Sequence, residues 1–290
     1  PLANLITSRG CPFNCHFCAS SQFGGLKWRA RSPNSVVDEV EELQSNWGYQ
    51  AFAFVDDNFT LDPRRVVAIA DELDRRDIRI IWWCFSRADT IARNEPLVQR
   101  MAESGACMVF LGLESGTEEV LQDYGKRIKV EQVRQAMAIL KKYGIGMYGN
   151  FIIGAVHETK KMIQRTIRWA KQLRPEAVQF SILTPYPGTA LFHQAEREHR
   201  LLHRLWQFYD GAHAVMKTDR LKPIEIQKLL LKAYRKFYFS FHSLQRNLVG
   251  TLQQKGWLKI ICKRIFAFFR IRHQLLRTAK TLNLKKSIII

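Results

Sequence analysis

The sequence predicts an α/β fold built from six consecutive strand–helix units and followed by a helical extension. Apolar runs of strand length alternate with segments of helical periodicity between residues 3 and 190. The runs are almost continuously apolar, which is typical of parallel strands buried on both faces. Beyond residue 190 the periodicity stays helical and the strand signals cease, so we divide the chain into residues 1–190 and 191–290.

Each predicted element has a recognisable beginning or end. The six predicted strands cover residues 3–8, 51–55, 78–85, 107–113, 146–153 and 177–183. The predicted helices between them cover residues 33–47, 62–76, 95–104, 130–143 and 160–173. Ser32 and Asp62 each precede a proline, which is the usual order of a capping side chain and a first helical residue. Gly105 and Gly144 stand where glycine commonly ends a helix.

Polar and glycine-rich segments follow the strands of this pattern. Because α/β barrels keep their active sites at the carboxyl ends of their strands, we expect the functional residues there. After residue 190 the sequence carries bulky apolar residues over 201–209 and two long helical candidates, 224–248 and 257–276.

The net charge of +19 is concentrated in the last quarter of the chain. Residues 226–290 carry 15 Lys or Arg and no Asp or Glu, whereas residues 1–225 carry 30 basic and 26 acidic side chains. The excess charge is therefore a property of the tail and does not indicate an enzyme coated with nucleic acid. With 47% hydrophobic residues and no apolar run of membrane-spanning length, the composition predicts neither wholesale disorder nor a membrane span.

Three of the six cysteines, Cys11, Cys15 and Cys18, fall within eight positions. Such clustering indicates a metal site in a reducing compartment rather than a disulfide framework. Cys84 and Cys107 lie in apolar, strand-like segments, and we expect both to be small core residues.

The spacing CxxxCxxC offers three thiolates on one short loop behind the first strand. A [4Fe–4S] cluster with three protein thiolates keeps one iron open to an external ligand. Zinc is the alternative, but it needs a fourth ligand, and His16 lies between two cysteines, where it is badly placed to close the site. The spacing favours the cluster over zinc.

The cysteine loop resembles that of the radical S-adenosylmethionine (SAM) superfamily. Five further strings are similar to the branch whose members usually carry an N-terminal cobalamin-binding domain, which includes methylases and porphyrin-ester cyclase-like proteins. The strings are Thr7-Ser8-Arg9-Gly10, Trp28-Arg29-Ala30-Arg31-Ser32-Pro33, Val55-Asp56-Asp57-Asn58-Phe59, Gly112-Leu113-Glu114-Ser115-Gly116 and Pro185-Tyr186-Pro187-Gly188-Thr189. The resemblance covers about residues 3–190 and implies a partial (β/α)6 TIM-type barrel.

The resemblance implies that Cys11, Cys15 and Cys18 hold a [4Fe–4S] cluster whose open iron binds SAM. Phe17, directly before the third cysteine, matches the aromatic residue that lies near the adenine of SAM.

Five more residues match positions around SAM in this family. Glu114 and Ser115 correspond to the position on the fourth strand that faces SAM, and a carboxylate there can accept hydrogen bonds from hydroxyl or ammonium groups. Ile153 and Gly154 correspond to the backbone edge that pairs with adenine. Asp57 follows the second strand and is expected to line the site, with loop capping as the alternative for this acidic segment.

The resemblance implies an enzyme in which the reduced cluster cleaves SAM to a 5′-deoxyadenosyl radical. The radical would take hydrogen from an organic substrate, of lipid or tetrapyrrole character, for methylation or ring formation. The electron would come from a reductant of the flavodoxin or ferredoxin type. Because the sequence opens at Pro1 without a cobalamin-binding segment, we expect cobalamin only if an upstream domain exists.

Two alternatives to this enzyme stay open. The first is an RNA-modifying member of the superfamily, which the basic tail suggests. The second is a membrane-associating, non-catalytic remnant of the fold.

In the candidate helix 257–276, basic side chains gather in one sector opposite a broad apolar face. Such a helix suits lipid better than a phosphate backbone, so we expect residues 226–290 to contact an anionic membrane surface and no nucleic acid. We therefore expect a cytoplasmic protein, peripheral at the inner face of the membrane; a tail packed on the barrel is the alternative.

Overall fold

The computed structural model describes residues 1–240, and six parallel strands form one sheet in this part of the chain. The described residues contain eight strands, of which β2 and β3 lie outside this sheet: β1 (Leu2–Leu5), β2 (Ser8–Arg9), β3 (Arg29–Ala30), β4 (Ala51–Phe54), β5 (Ile81–Ser86), β6 (Ala106–Glu114), β7 (Gly146–Ile153) and β8 (Ala177–Ile182). The sheet runs β1-β4-β5-β6-β7-β8, so its strands lie side by side in chain order. Parallel crossovers in one direction place the helices on one face and curl the sheet toward a barrel. The predicted α/β fold is confirmed.

Ten α-helices lie within the described residues, and most connect consecutive strands. They are α1 (Ala19–Phe23), α2 (Pro33–Trp47), α3 (Pro63–Arg75), α4 (Ala88–Arg93), α5 (Glu95–Glu103), α6 (Glu118–Asp123), α7 (Val130–Lys142), α8 (Lys160–Leu173), α9 (Ala190–Arg197) and α10 (Pro223–Tyr238). The predicted caps act as expected: Ser32 Oγ accepts a hydrogen bond from the N–H of Ser35 at 3.2 Å, and Asp62 Oδ1 accepts one from Arg64 at 3.1 Å. These side chains fix the starts of α2 and α3.

The first strand is shorter than the predicted 3–8, because the chain leaves the sheet after Leu5. β2 pairs instead with β3 in a separate antiparallel ribbon. The cause is Asp56, a buried carboxylate that accepts hydrogen bonds from Thr7 N, Thr7 Oγ1 and Ser8 Oγ, each at 2.6 Å. These three bonds hold the chain in the turn that leads into the cysteine loop.

The core lies between the sheet and the helices. Its largest fully buried side chains include Phe52, Phe54, Leu111 and Phe151 from the strands and Leu73, Leu97 and Met101 from the helices.

Cys84 is buried in the core, as predicted, but Cys107 is exposed, and the prediction that Cys107 is a core residue is wrong. The register between β5 and β6 shifts here: Trp82 pairs with Ala106 and Trp83 with Met108, which leaves Cys107 in a bulge.

Residues 198–222 are mostly irregular, although a continuous helical periodicity was predicted beyond residue 190. A bridge between Leu201 and Met216 and a single 3-10 turn at Trp206–Phe208 organise this segment. Asp210 Oδ1 accepts hydrogen bonds from the backbone N–H groups of Ala212 and His213, at 2.8 and 3.1 Å. An aspartate that binds its own following backbone favours a turn over a helix.

Residues Pro1–Phe237 form one compact unit, and a second unit begins at Tyr238. α10 belongs to the first unit, where Tyr234 Oη donates to the carbonyl oxygen of Phe180 on β8 at 2.9 Å. The predicted helix 224–248 corresponds to α10 as far as Tyr238; its remainder and the predicted helix 257–276 lie outside the described residues. The division at residue 190 stays a prediction. Within residues 1–240, no helix has the length and apolarity that a membrane crossing requires.

Candidate active site

The clustered cysteines lie on a long loop, residues 10–28, which we call the cluster loop. β2 and β3 close its base as an antiparallel pair. Gly10 makes this closure possible because it has a φ of +84°, and a β-carbon there would lie 2.3 Å from the carbonyl oxygen of Lys27. Only glycine fits where the two sides of the loop approach each other.

The turn after α6 holds the cluster loop from another side. The N–H of His16 donates to the carbonyl oxygen of Tyr124 at 3.0 Å, and His16 Nδ1 lies 2.8 Å from the carbonyl oxygen of Asp123. Phe17 packs edge-on against the Tyr124 ring, with the centroids 5.2 Å apart. Gly125 lies against the imidazole, since a β-carbon there would come within 2.8 Å of His16 Nε2. His16 therefore anchors the loop through both its backbone and its ring.

Cys11, Cys15 and Cys18 are half-buried, and all three are free thiols. Burial raises the pKa of the Cys11 thiol, and the nearby Cys18, Cys15 and Asp57 raise it further. The three predicted ligands thus lie on one short loop that the turn after α6 holds, and their role as ligands stays a prediction.

The spacing of these thiols matters for the kind of metal centre they fit. Over residues 1–240, no three His, Cys, Asp or Glu side chains converge tightly enough to bind one metal ion. A zinc site takes four ligands around one ion, whereas the cluster loop offers three thiols. In an iron–sulfur cube each cysteine ligates its own iron atom, so the sulfur atoms are spaced around the cluster. Three half-buried free thiols on one loop are the donor set that such a cube with one open iron takes, and the cluster itself stays a prediction.

Glu114 ends β6 and forms a buried ion pair with Lys126. Glu114 Oε1 lies 2.5 Å from Lys126 Nζ, which also donates to the carbonyl oxygen of Gly112 at 2.8 Å. Glu114 has a φ of +57°, and the pairing of β6 with β7 shifts between Gly112 and Glu114. A β-carbon at residue 112 would lie 2.5 Å from both charged atoms, so the pair requires glycine there. Strained backbone beside a buried ion pair is typical of a functional strand end.

Two cations lie near Cys15. The charges of Lys126 and Arg87 lower the pKa of the Cys15 thiol, against the larger effect of burial, which raises it. Arg87 follows β5, and its guanidinium group lies 3.8 Å from the ring centroid of Phe13 in the cluster loop. A buried ion pair with Asp89, Nε to Oδ1 at 3.0 Å, holds Arg87 in this position. On balance the pKa of the Cys15 thiol lies above its ordinary value, and the two cations offset only part of the effect of burial.

The two aspartates that follow β4, Asp56 and Asp57, have different surroundings. Asp56 is buried, and it supports the turn before the cluster loop. Asp57 is exposed and lies close enough to Cys11 to raise the pKa of its thiol. Loop support therefore describes Asp56, whereas a contact between Asp57 and SAM stays a prediction.

Ser115 is fully buried beneath the end of β6. Its hydroxyl lies 3.1 Å from both Thr117 Oγ1 and Thr166 Oγ1, and Thr166 Oγ1 accepts a hydrogen bond from the N–H of Gly116 at 3.1 Å. This network fastens the strand end to α8. Ser115 thus supports the backbone that presents Glu114, and its contact with SAM stays a prediction.

The backbone at Ile153 and Gly154 is already engaged within the protein. Glu158 Oε2 accepts hydrogen bonds from the N–H groups of Gly154 and Ala155, at 2.6 and 3.1 Å. The carbonyl oxygen of Ile153 accepts one from Leu183 at 2.8 Å. Burial raises the pKa of Glu158 to about 7, against these two N–H donors. The pairing of adenine with this strand end stays a prediction.

Sequence reasoning missed Arg87, Tyr124 and Lys126. Arg87 directly follows a strand, so the strand-end rule that pointed to Glu114 could have found it. Lys126 lies twelve residues beyond Glu114, after a helix, and no spacing rule links the two. Only the tertiary fold brings this turn back to the cluster loop.

Residues 5–170 match the sequence profile of the radical SAM superfamily, which is more than half of the chain. The chain belongs to the radical SAM superfamily. The resemblance indicated by the cysteine loop and the strand-end strings is thereby confirmed.

The radical SAM chain has curated relatives among methyltransferases and cyclases of the cobalamin-type branch. PH0819 of Pyrococcus horikoshii, an uncharacterised methyltransferase, is 39% identical over 274 residues, covering 94% of this chain and 58% of the relative. The anaerobic magnesium-protoporphyrin IX monomethyl ester cyclase of Rubrivivax gelatinosus is 28% identical, covering 87% of this chain and 45% of the relative. The chain thus spans about half the length of the curated relatives it matches.

The fold is also similar to that of a solved radical SAM enzyme. The methyltransferase TsrM from Kitasatospora setae, solved with cobalamin and a [4Fe–4S] cluster bound, superposes with a TM-score of 0.63. The two sequences are 21% identical, and the match covers 83% of this chain and 48% of TsrM. This similarity supports the partial TIM-type barrel.

Proposed function

We propose that this radical SAM protein holds a [4Fe–4S] cluster on Cys11, Cys15 and Cys18 and uses it to cleave SAM. The observation that carries the proposal is the cluster loop, where three free, half-buried thiols lie together beside two cations. When bound, the cluster supplies the electron that cleaves SAM to a 5′-deoxyadenosyl radical. This chain's own residues bind and orient the reactants and exclude water from them.

The cluster loop is built to keep three thiols at fixed separations. The β2–β3 ribbon closes one side, and the turn around Tyr124 holds His16 and Phe17 on another. Burial raises the pKa of the Cys15 thiol, and the charges of Lys126 and Arg87 offset part of that rise, which helps the thiolate that binds metal to form. A loop fixed at several points loses little further conformational freedom when a cluster binds.

Glu114 and Phe17 are the groups best placed to receive SAM. Lys126 fixes one oxygen of the Glu114 carboxylate, and a carboxylate so held can accept charge-assisted hydrogen bonds from hydroxyl or ammonium groups. Phe17 is half-buried and backed by the Tyr124 ring, so it offers a fixed aromatic surface for adenine.

The reaction we propose is hydrogen abstraction from an organic substrate of lipid or tetrapyrrole character, leading to methylation or ring formation. The names of the relatives support this range, since they include methyltransferases and a magnesium-protoporphyrin ester cyclase. A flavodoxin or ferredoxin would supply the electron. Methylation that uses cobalamin, as bound by TsrM, would require a cobalamin-binding region in the whole protein.

The test is anaerobic reconstitution of the full chain with iron and sulfide. We expect about four irons per chain and formation of 5′-deoxyadenosine from SAM under a strong reductant. Cys15→Ala should lose both, whereas Cys107→Ala, which removes an exposed cysteine outside the loop, should keep both. Full SAM cleavage by Cys15→Ala would refute the proposal.

A further inference from the structure

Four aromatic rings form a continuous surface on the sheet. We call Trp83, Phe85, Phe110 and Tyr148 the aromatic ladder. Strand register pairs Phe85 with Phe110 and Phe110 with Tyr148. The ring centroids are 4.5 Å apart for Trp83 and Phe110, 5.2 Å for Phe85 and Phe110, and 4.4 Å for Phe110 and Tyr148. The ladder crosses three neighbouring strands and is therefore about 10 Å wide.

The ladder faces the inside of the barrel. Its four members are half-buried, whereas the residues that alternate with them are fully buried in the core. These buried neighbours are Cys84, Val109, Leu111 and Met147. Because side chains alternate between the two faces of a strand, the ladder lies on the face turned away from the core.

The strand residues of the inner face of the sheet are uncharged along β1 and β4–β8, except for Glu114, which is paired with Lys126 near the end of β6. Beside the ladder its side chains include Asn4, Ala53, Met108, Asn150, Gln179 and Ser181. Lys126 Nζ lies beside Gly112, where it pairs with Glu114 near the carboxyl end of this face, and Arg87 follows the last residue of β5. Burying a charge without a partner is strongly unfavourable, so a ligand on this face must be uncharged there.

The orientation of the rings adds a preference for flat conjugated ligands. The planes of Phe110 and Tyr148 are within 13° of parallel at a centroid distance of 4.4 Å, so the rings are stacked from strand to strand. Stacking in this direction turns their edges toward the inside of the barrel. Ring edges carry the positive part of the aromatic quadrupole, which attracts the negative face of another π-system.

The ladder also begins close to the candidate active site. Phe85 is two residues before Arg87, whose guanidinium group packs on Phe13 of the cluster loop. Two residues of strand span about 7 Å. A ligand on the ladder therefore reaches toward the cluster loop.

We propose that the aromatic ladder binds the substrate, and that the part of the substrate inside the barrel is a flat, conjugated, uncharged ring system. This inference deepens the proposed function and rests on it for the reaction. The binding itself follows from the ladder and is measured without reductant.

The test uses the full chain and protoporphyrin IX dimethyl ester in neutral detergent, with binding followed by the fluorescence anisotropy of the porphyrin. Cholestanol, an uncharged but saturated polycycle, is measured by competition. Phe110→Leu keeps an apolar side chain and removes the ring edge, so it should weaken porphyrin binding about three- to tenfold and leave cholestanol binding unchanged. Phe110→Tyr, which keeps a ring, should retain the affinity for the porphyrin.

Trp47→Leu also replaces a ring by leucine, at a position on α2 that is 68% exposed, and should change neither affinity. Unchanged porphyrin binding by Phe110→Leu, or cholestanol binding as tight as that of the porphyrin, would overturn the inference. Iron content and SAM cleavage are measured separately on the unaltered protein. Porphyrin binding that depends on Phe110 without SAM cleavage would remove the proposed function and keep the ladder as a ring-binding surface.

Discussion

Glu114 and Lys126 neutralise each other in a buried position, with both side chains 7% exposed. Removing one charge leaves the other buried and unpaired, which is strongly unfavourable. The pair therefore does more than cap a strand: it keeps a charged carboxylate available next to the cysteines. An isosteric substitution tests this role with the least disturbance of packing.

Glu114→Gln should weaken SAM binding about 10- to 100-fold, because hydrogen bonds to a charged group contribute roughly 1.5–3 kcal/mol. The measurement is calorimetric titration of the reconstituted protein with SAM, together with its iron content, which should persist. Glu131→Gln, at an exposed position on α7, is the matched control. Unchanged SAM affinity in Glu114→Gln would reduce Glu114 to a structural partner of Lys126.

Glu158 should give the stability of the protein a distinctive dependence on pH. Its pKa in the folded protein is about 7, above the ordinary value of 4.5. Between these values the folded protein holds a proton that the unfolded chain has released, so the free energy of unfolding falls as pH rises through this range. The contribution of Glu158 to stability is therefore greatest below about pH 4.5 and is lost as pH rises through about 7.

Glu158→Gln removes this titration and keeps a carbonyl oxygen for the N–H groups of Gly154 and Ala155. Urea unfolding at about pH 5 and about pH 7.5 should show the variant gaining stability relative to the unaltered protein at the higher pH. For Glu131→Gln the difference should stay constant. The same constancy in Glu158→Gln would mean that Glu158 is ionised throughout this range.

Among the elements, those with strong local signals were predictable. The spans of β7 and α8 match the predicted 146–153 and 160–173, because apolar periodicity and terminal residues agree there. The irregular segment after α9 was mispredicted, because its apolar residues suggest a helix while the turn at Asp210 and the bridge at Leu201 oppose one. Local pattern cannot weigh such tertiary contacts.

At the candidate site, too, local sequence pattern reveals only some of the residues, because it does not show tertiary contacts. The cysteines and Glu114 follow strands and could be named from the sequence, and the turn after α6 contacts both the cluster loop and Glu114. Lys126 and Tyr124 reach the cluster loop only through the packing of the turn after α6, which no sequence spacing reveals. The division between Asp56 and Asp57 likewise depends on which carboxylate faces Thr7.

The turn after α6 is the element that joins the cluster loop to Glu114. Gly125 has a φ of +65° and lies against the His16 ring, whereas Gly144 has a φ of +71° and open space around it. Alanine at either position strains the backbone by about 1 kcal/mol. Only at Gly125 would the added β-carbon meet the His16 ring of the cluster loop.

We therefore expect Gly125→Ala to retain less iron after reconstitution than Gly144→Ala, with the two variants similar in thermal stability. The measurement is iron content after gel filtration, with circular dichroism as the check on folding. Equal iron content in the two variants would show that the contact with His16 does not hold the loop.

At the scale of the whole molecule, the basic tail that the sequence analysis began at residue 226 overlaps α10. α10 packs through Ile226, Leu229 and Phe237 within the first compact unit, so its basic residues belong to the barrel. Residues 241–290 still carry eleven Lys or Arg and no acidic residue. A deletion that tests the tail should therefore begin after residue 240.

We expect the full chain to float with anionic liposomes and to be released by high salt, since each basic residue near an anionic surface contributes about 1 kcal/mol. Neutral liposomes should hold it poorly, and the chain ending at residue 240 should not float. Equal flotation with neutral and anionic liposomes would exclude this electrostatic attachment, and a preference for RNA over both would favour an RNA-modifying enzyme.

The central claim is that three cysteines hold a cluster with one iron open to SAM. It is tested most directly by the electron paramagnetic resonance spectrum of the reduced, reconstituted full chain, recorded anaerobically with and without SAM. We expect the signal of a reduced [4Fe–4S] cluster, and we expect SAM to change that signal because it binds the open iron. A cluster signal that SAM leaves unchanged, or no cluster signal at all, would contradict the claim.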